Sequence, residues 1–155
     1  MTSPAQPPGE RRLDRPPSDR YRPAVAPPGD VATGSVARAF VLGVAASISW
    51  LLLTVLLGGV VALSTGLIVL AAAGGRVIAL AVAYGGTPTV AASTRRALAL
   101  GLVVVGFAFG QLGLWGFARF EGGVLAPIEY LAETFGLVVP AQLLVAAAVA
   151  WWTAR

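Results

Sequence analysis

The stretch from Arg95 to Arg119 reads RRALALGLVVVGFAFGQLGLWGFAR. It opens with two arginines, closes with a third, and holds no charged residue between them. The apolar run is long enough to cross a bilayer as an α-helix, which needs about 20 residues. Gly106, Gly110 and Gly113 fall on one side of that helix, where they permit close contact with a neighbour. The stretch therefore predicts a transmembrane helix with a specialised packing face.

The composition of the whole chain indicates the same environment. Its 155 residues are 57% hydrophobic and 12% charged, and the mean hydropathy is +0.80. A soluble domain carries about 25% charged residues, and a chain this short cannot hide so much apolar surface from water. We therefore predict an all-α membrane protein built as a four-transmembrane-helix bundle.

Four apolar runs have spanning length. They predict transmembrane helices over residues 39–57, 60–84, 97–118 and 135–154. Gly58 and Gly59 predict a tight turn between the first two helices, and Pro127 predicts the start of a short interfacial helix. Pro140 predicts a kink inside the fourth helix, because a helix that began only there would be too short to span the bilayer.

The chain divides into residues 1–34 and a transmembrane domain over residues 35–155. Prolines recur in the first segment among arginines, acidic residues and small residues. Such a segment cannot bury enough apolar area to offset its ordering entropy. We expect a disordered cytoplasmic tail, and the alternative is a weak contact of its arginines and prolines with anionic lipid or a protein partner.

The arginines after the tail set the expected orientation. With the N-terminus in the cytoplasm, four of them lie at the inner ends of the helices: Arg38, Arg95, Arg96 and Arg155. Only Arg119 lies at the outer side, in agreement with the positive-inside rule. The remaining acidic residues also lie on that outer side: Glu121, Glu129 and Glu133. We predict a multi-pass protein of the cell membrane whose N-terminus and C-terminus are both cytoplasmic.

Two glutamines are expected at nearly the same depth in the bilayer. Gln111 lies in the third predicted helix and Gln142 in the fourth. Adjacent antiparallel helices would pair the two amides, a contact worth about 0.6–2 kcal/mol in membranes. The pair either joins the helices or lines a polar pathway or ligand site.

Arg76 is the one charged residue inside a predicted span, where a lipid-facing guanidinium is costly. Several partners remain open for it: the inner interface reached by snorkelling, backbone carbonyls, the hydroxyls of Ser47 and Ser49, a lipid phosphate, an acidic group of a partner, or a substrate or ion. A further alternative is that Gly74 and Gly75 break the second helix and leave Arg76 at the membrane surface.

Small residues give each predicted helix a face for close contact. The expected packing residues are Gly43, Ser47, Gly75, Ala79, Gly106, Gly110, Gly113, Ala146 and Ala150. In the third helix Gln111 lies about 140° around the axis from Gly106. The glycine side and the amide side of that helix should therefore face different neighbours.

Residue types argue against catalysis. The chain contains no Cys and no His, and all its basic side chains are arginine, so the usual nucleophile–base pairs and zinc sites are missing. We expect no enzyme activity, no metal and no cofactor. The few arginines outside the tail make no basic stripe, so we expect no nucleic-acid binding.

The leading functional hypothesis is a non-catalytic accessory or scaffold subunit that assembles through small-residue helix faces. Its expected partners are membrane lipids and either further copies of the chain or a larger membrane complex. The alternative is a small transporter or an oligomeric channel with a polar lining of Arg76, Gln111 and Gln142.

Overall fold

Every regular element that the structure describes is a helix. The computed structural model describes residues 34–63, 66–123 and 125–155, and no strand occurs among them. The helices are α1 Val36–Val55, α2 Gly66–Gly86, α3 Ala92–Phe120, α4 Pro127–Thr134 and α5 Val138–Thr153. The all-α class is thus confirmed, whereas the predicted tail lies, apart from Gly34, outside the described residues.

Three helices are long and apolar enough to cross a membrane by themselves: α2, α3, and α1 together with its continuation to Val60. A fourth crossing results if α4 and α5 are counted as one bent span. The described part of the chain therefore has three to four candidate membrane-spanning helices.

Helices α2 and α3 form the centre of the described structure. They contact each other, while α1 packs against both on one side and α5 packs against both on the other. The core between them is made of small and β-branched side chains with almost no exposed surface: Ile78, Ala79, Val82, Val103 and Ala146. Small residues matter here because dispersion contacts, rather than exclusion of water, drive helix association in lipid.

The tight turn predicted at Gly58 and Gly59 is wrong. Both glycines lie in a π-helical turn, Leu56–Val60, that continues α1. A Cβ atom at Gly58 would lie 2.9 Å from the side chain of Leu114, and one at Gly59 would lie 3.0 Å from the ring of Phe117. The two glycines therefore allow the end of α1 to approach α3, and the chain turns only after them.

The second helix is continuous through Gly74 and Gly75, so the predicted alternative of a break there is not observed. It begins at Gly66 rather than at residue 60. Helix α3 is longer at both ends than the predicted 97–118, since Arg95, Arg96 and Arg119 remain helical. Charged residues at helix ends mark where the apolar run stops, not where the backbone stops being helical.

The fourth predicted span, 135–154, contains one helix, α5, which begins only at Val138. The short helix predicted to begin at Pro127 is confirmed as α4. The axes of α4 and α5 differ by 91°. Gly136 has φ +52°, and its N–H donates to the Leu131 carbonyl at 3.1 Å, which closes α4 with a left-handed glycine. Pro140 lies in the first turn of α5, where its missing N–H costs little. The bend is thus made at Gly136, ahead of the proline.

Candidate functional site

The buried amides of Gln111 and Gln142 are paired. The Nε2 atom of Gln111, on α3, donates to Oε1 of Gln142, on α5, at 3.2 Å. The two side chains are only 4% and 2% exposed. The predicted amide pair between neighbouring antiparallel helices is therefore confirmed. Gln111 Oε1 and Gln142 Nε2 are buried and have no hydrogen-bond partner in the described part of the chain.

The glycine side of α3 faces a different neighbour, α1. Each of its three glycines opposes one residue of α1: Gly106 lies against Ser47, Gly110 against Thr54, and Gly113 against Val55. The Ser47 hydroxyl also donates to the backbone carbonyl of Leu102 on α3, at 3.1 Å. The two predicted sides of α3 therefore contact different helices, as the helical wheel indicates.

The other predicted packing residues also lie between helices of this chain. A Cβ atom at Gly75 would overlap the backbone of Ala146, and one at Gly43 would overlap the side chains of Leu102 and Val82. Ala79, Ala146 and Ala150 have no exposed surface. The small-residue faces are therefore occupied mainly by helices of the same chain, although Ser47 and Gly106 also line a groove between α1 and α3.

Two equally close approaches involve glycines outside the predicted set of packing residues. Gly74 lies against the indole of Trp50, and Gly85 lies against the backbone at Ala39. Ala39 lies four residues before the predicted packing residue Gly43, and Gly74 lies next to Gly75, whereas Gly85 lies outside these repeats. The four-residue repeats therefore predict only part of the close packing, and only the structure shows which helix faces contact each other.

Arg76 lies apart from the two glutamines, on the exposed surface of α2. It lines a groove of about 300 Å³ together with four residues of α5: Ala148, Val149, Trp152 and Thr153. The serines considered as its partners are used elsewhere, since Ser47 bonds to α3 and Ser49 donates to the Ala45 carbonyl at 3.0 Å. Within the described ranges Arg76 has no hydrogen-bond or ion-pair partner.

Four other arginines of the described residues gather at one end of the helices, which we call the arginine end: Arg38, Arg95, Arg96 and Arg155. Three of them lie over aromatic rings: Arg38 over Tyr84 at 5.2 Å, Arg96 over Trp151 at 5.2 Å and Arg155 over Trp152 at 4.1 Å. Arg95 donates to the backbone carbonyls of Val90 at 3.0 Å and Arg155 at 3.3 Å. These contacts bring together the starts of α1 and α3 and the ends of α2 and α5.

The opposite end, which we call the glutamate end, holds all the acidic residues that the structure describes: Glu121, Glu129 and Glu133. Arg119 lies there too, 5.9 Å from the centroid of Trp115. The Trp115 Nε1 atom donates to the Leu125 carbonyl at 3.0 Å, which ties the loop before α4 to α3. The two ends of the described structure therefore have opposite charge.

The described residues contain no cluster of three or more His, Cys, Asp or Glu side chains that would hold a metal ion. No protein-family model, no curated protein and no solved structure matches the chain. The chemistry that this arrangement offers is hydrogen bonding between helices at the amide pair and anion binding near the arginines.

Proposed function

We propose that the chain is a four-helix transmembrane bundle of the cell membrane, with both termini in the cytoplasm, that acts without catalysis as an accessory or scaffold subunit of a membrane assembly. The central position of α2 and α3 between α1 and α5 supports the bundle. The separation of the arginine end from the glutamate end supports the orientation, because arginine-rich ends stay on the cytoplasmic side.

Helix α5 makes the fourth crossing in this proposal. Helix α5 has 16 residues and is about 24 Å long, shorter than a hydrocarbon core of about 30 Å. Helix α4 then lies along the outer interface with Glu129 and Glu133 near water. Ile128 and Leu137 are 82% and 86% exposed, and at this depth they would contact lipid rather than water. Local thinning of the bilayer accommodates a short crossing at modest cost.

The accessory role is supported by the hydrogen bonding of the polar side chains at mid-depth, which bond within the chain. The hydroxyls of Ser47 and Thr54 bond to backbone carbonyls, and the two buried glutamines bond to each other. Apart from Arg76 on α2, the outward surface at mid-depth is therefore largely apolar. A surface of this kind offers contact to lipid chains and to other helices, and offers no path to a polar solute.

A groove between α1 and α3 is the surface that we assign to a partner helix. Its volume is about 260 Å³. Its walls come from both helices: Val44, Ser47, Ile48, Leu51, Leu102, Val105, Gly106 and Phe109. Side chains of another transmembrane helix would fill such a groove by close packing, which is the interaction that joins helices in lipid.

The alternative, a transporter or oligomeric channel, has less support from the geometry. Its proposed lining residues do not share a surface within one chain, because Arg76 faces outward on α2 while Gln111 and Gln142 are buried between α3 and α5. Only an assembly of several copies would bring Arg76 side chains around one pore. Such a channel would show a flux in liposomes that falls in Arg76→Ala.

The accessory role is tested by photo-crosslinking in native membranes. A crosslinking amino acid replaces Val105, which is 52% exposed beside the α1/α3 groove, or Leu80, which is 49% exposed on α2. We expect position 105, and not position 80, to give a discrete adduct with a second copy or another membrane protein. A monomer in mild detergent with no adduct from position 105 would contradict the proposal.

A further inference from the structure

We propose that the groove between α2 and α5 binds the phosphate of an anionic lipid headgroup, with Arg76 as its principal ligand. The lipid would belong to the leaflet at the arginine end. This inference needs the chain to lie in a membrane, but it does not depend on the accessory role.

Arg76 lies far from both ends of α2. It lies about 15 Å from the end of the helix at Gly86, and its neighbours Val77 and Leu80 on the outward face are apolar and about half exposed. A guanidinium held among such groups needs an anion or water, because an unpartnered charge in hydrocarbon is costly. None of the described residues supplies such an anion.

The groove extends from Arg76 toward the arginine end. Gly75 packs against the backbone of Ala146, which sets α2 and α5 at a common depth. The four groove residues of α5 all follow Ala146 in sequence, and α5 runs toward the arginine end. Trp152 therefore lies about 9 Å nearer that end than Ala146 does. The groove leads from Arg76 toward the interface, where lipid phosphates are found.

The lining of the groove combines a cationic side chain with aromatic, hydroxyl and aliphatic groups. Trp152 shares the groove with Arg76, and the guanidinium of Arg155 lies over its ring at 4.1 Å. Thr153 adds a hydroxyl to the same groove. Guanidinium groups bind phosphate through paired N–H donors, and the apolar walls from Val149 and Trp152 suit the start of an acyl chain. The groove therefore combines a phosphate ligand with a surface for lipid.

The charge distribution favours a lipid over an acidic side chain of the described residues. The acidic residues within residues 34–63, 66–123 and 125–155 all lie at the glutamate end, away from the groove. Anionic lipids are also attracted to clusters of arginine at the cytoplasmic surface. A carboxylate on a partner helix is the competing occupant, and the experiment distinguishes it.

Native mass spectrometry of the full chain in mild detergent tests the inference. The probes are phosphatidylglycerol and phosphatidylcholine with identical acyl chains. We expect the wild type to retain one phosphatidylglycerol in preference to phosphatidylcholine, and Arg76→Gln to bind it about tenfold more weakly, the loss expected for a charge-assisted contact. Arg76→Lys should keep part of the affinity. The matched control, Arg119→Gln at the glutamate end, should bind as the wild type does.

Fluorescence provides an independent readout. Brominated phosphatidylglycerol should quench the wild type more than brominated phosphatidylcholine does, and Trp152→Phe should remove that difference, whereas Trp151→Phe should keep it. Inorganic phosphate should not displace the lipid, and displacement would assign the site to a free anion. Equal lipid retention by the wild type and Arg76→Gln would overturn the inference. So would a co-purifying protein that Arg76→Gln loses, because it would assign the groove to a partner carboxylate.

Discussion

The two sides of α3 hold their neighbours in different ways. Toward α1 the helix presents Gly106, Gly110 and Gly113, and the contact depends on the absence of side chains. Toward α5 it presents Gln111, and the contact includes one hydrogen bond to Gln142. Added side-chain volume should therefore disturb the contact with α1 most, whereas the contact with α5 also depends on a matched pair of amides.

The difference matters because lipid changes the balance of forces. Lipid tails are as apolar as the helix surfaces, so burial of apolar area adds little to helix association, and close packing and hydrogen bonds account for most of it. At Gly106 a Cβ atom would meet Ser47, whose hydroxyl is itself bonded across to α3. An added side chain there would disturb packing and a hydrogen bond together.

The largest effect is expected from Gly106→Leu. The new side chain has no room beside Ser47, so α1 must move away from α3, and overpacking of this kind costs about 1–3 kcal/mol or more. The measurement is unfolding of purified protein by sodium dodecyl sulfate in mixed micelles, followed by tryptophan fluorescence. Gly116→Leu is the matched control, since nothing lies within 4 Å of a Cβ there. Equal unfolding midpoints for the two variants would show that α1 does not pack as described.

A smaller effect is expected at the amide side. Gln111→Leu leaves the buried amide of Gln142 without its partner, which should reduce the free energy of unfolding by about 0.6–2 kcal/mol. The double variant Gln111→Leu/Gln142→Leu should regain part of this loss, because no amide is then left unpartnered. A double-mutant cycle in the same assay measures the coupling. Strictly additive losses would mean that the two amides do not interact.

The smallest effect is expected from Gly110→Ala, on the glycine side itself. A Cβ atom there would lie 3.7 Å from Thr54, an ordinary contact, and alanine favours a helix over glycine by about 1 kcal/mol in water. We expect the unfolding midpoint to stay within about 0.5 kcal/mol of the wild type or to rise. Gly106→Ala in the same assay should be clearly worse. If Gly110→Ala lowered the unfolding midpoint more than Gly106→Ala did, the closest approach of α1 and α3 would lie nearer to Gly110.

Several features of the fold could be predicted because they depend on position along a helix. Counting residues from the centre of each run placed Gln111 and Gln142 at one depth, and the helical wheel separated Gln111 from Gly106. The bend before α5 could not be found in this way. Because proline commonly kinks helices, Pro140 led to a predicted kink inside the fourth helix. The chain instead turns at Gly136, which has a left-handed backbone conformation.

The site at Arg76 could likewise be predicted only in part. Arg76 stands out in the sequence because it is the one charge in an apolar run, but its neighbours on α5 are far away along the chain. Their proximity depends on α2 and α5 being adjacent and parallel, with Gly75 set against Ala146. No local pattern contains that information.

The sequence by itself determined the helical class, the approximate helical runs, the two faces of α3 and the opposite charge of the two helix ends. These follow from composition and from the fixed period of the helix, which are local properties. Only the tertiary structure decided that the small-residue faces are occupied mainly within the chain, that Gly58 and Gly59 pack rather than turn, and that Arg76 lies in a groove with Trp152. These depend on which helices are neighbours, because a face for close packing specifies a geometry but not the helix that fills it.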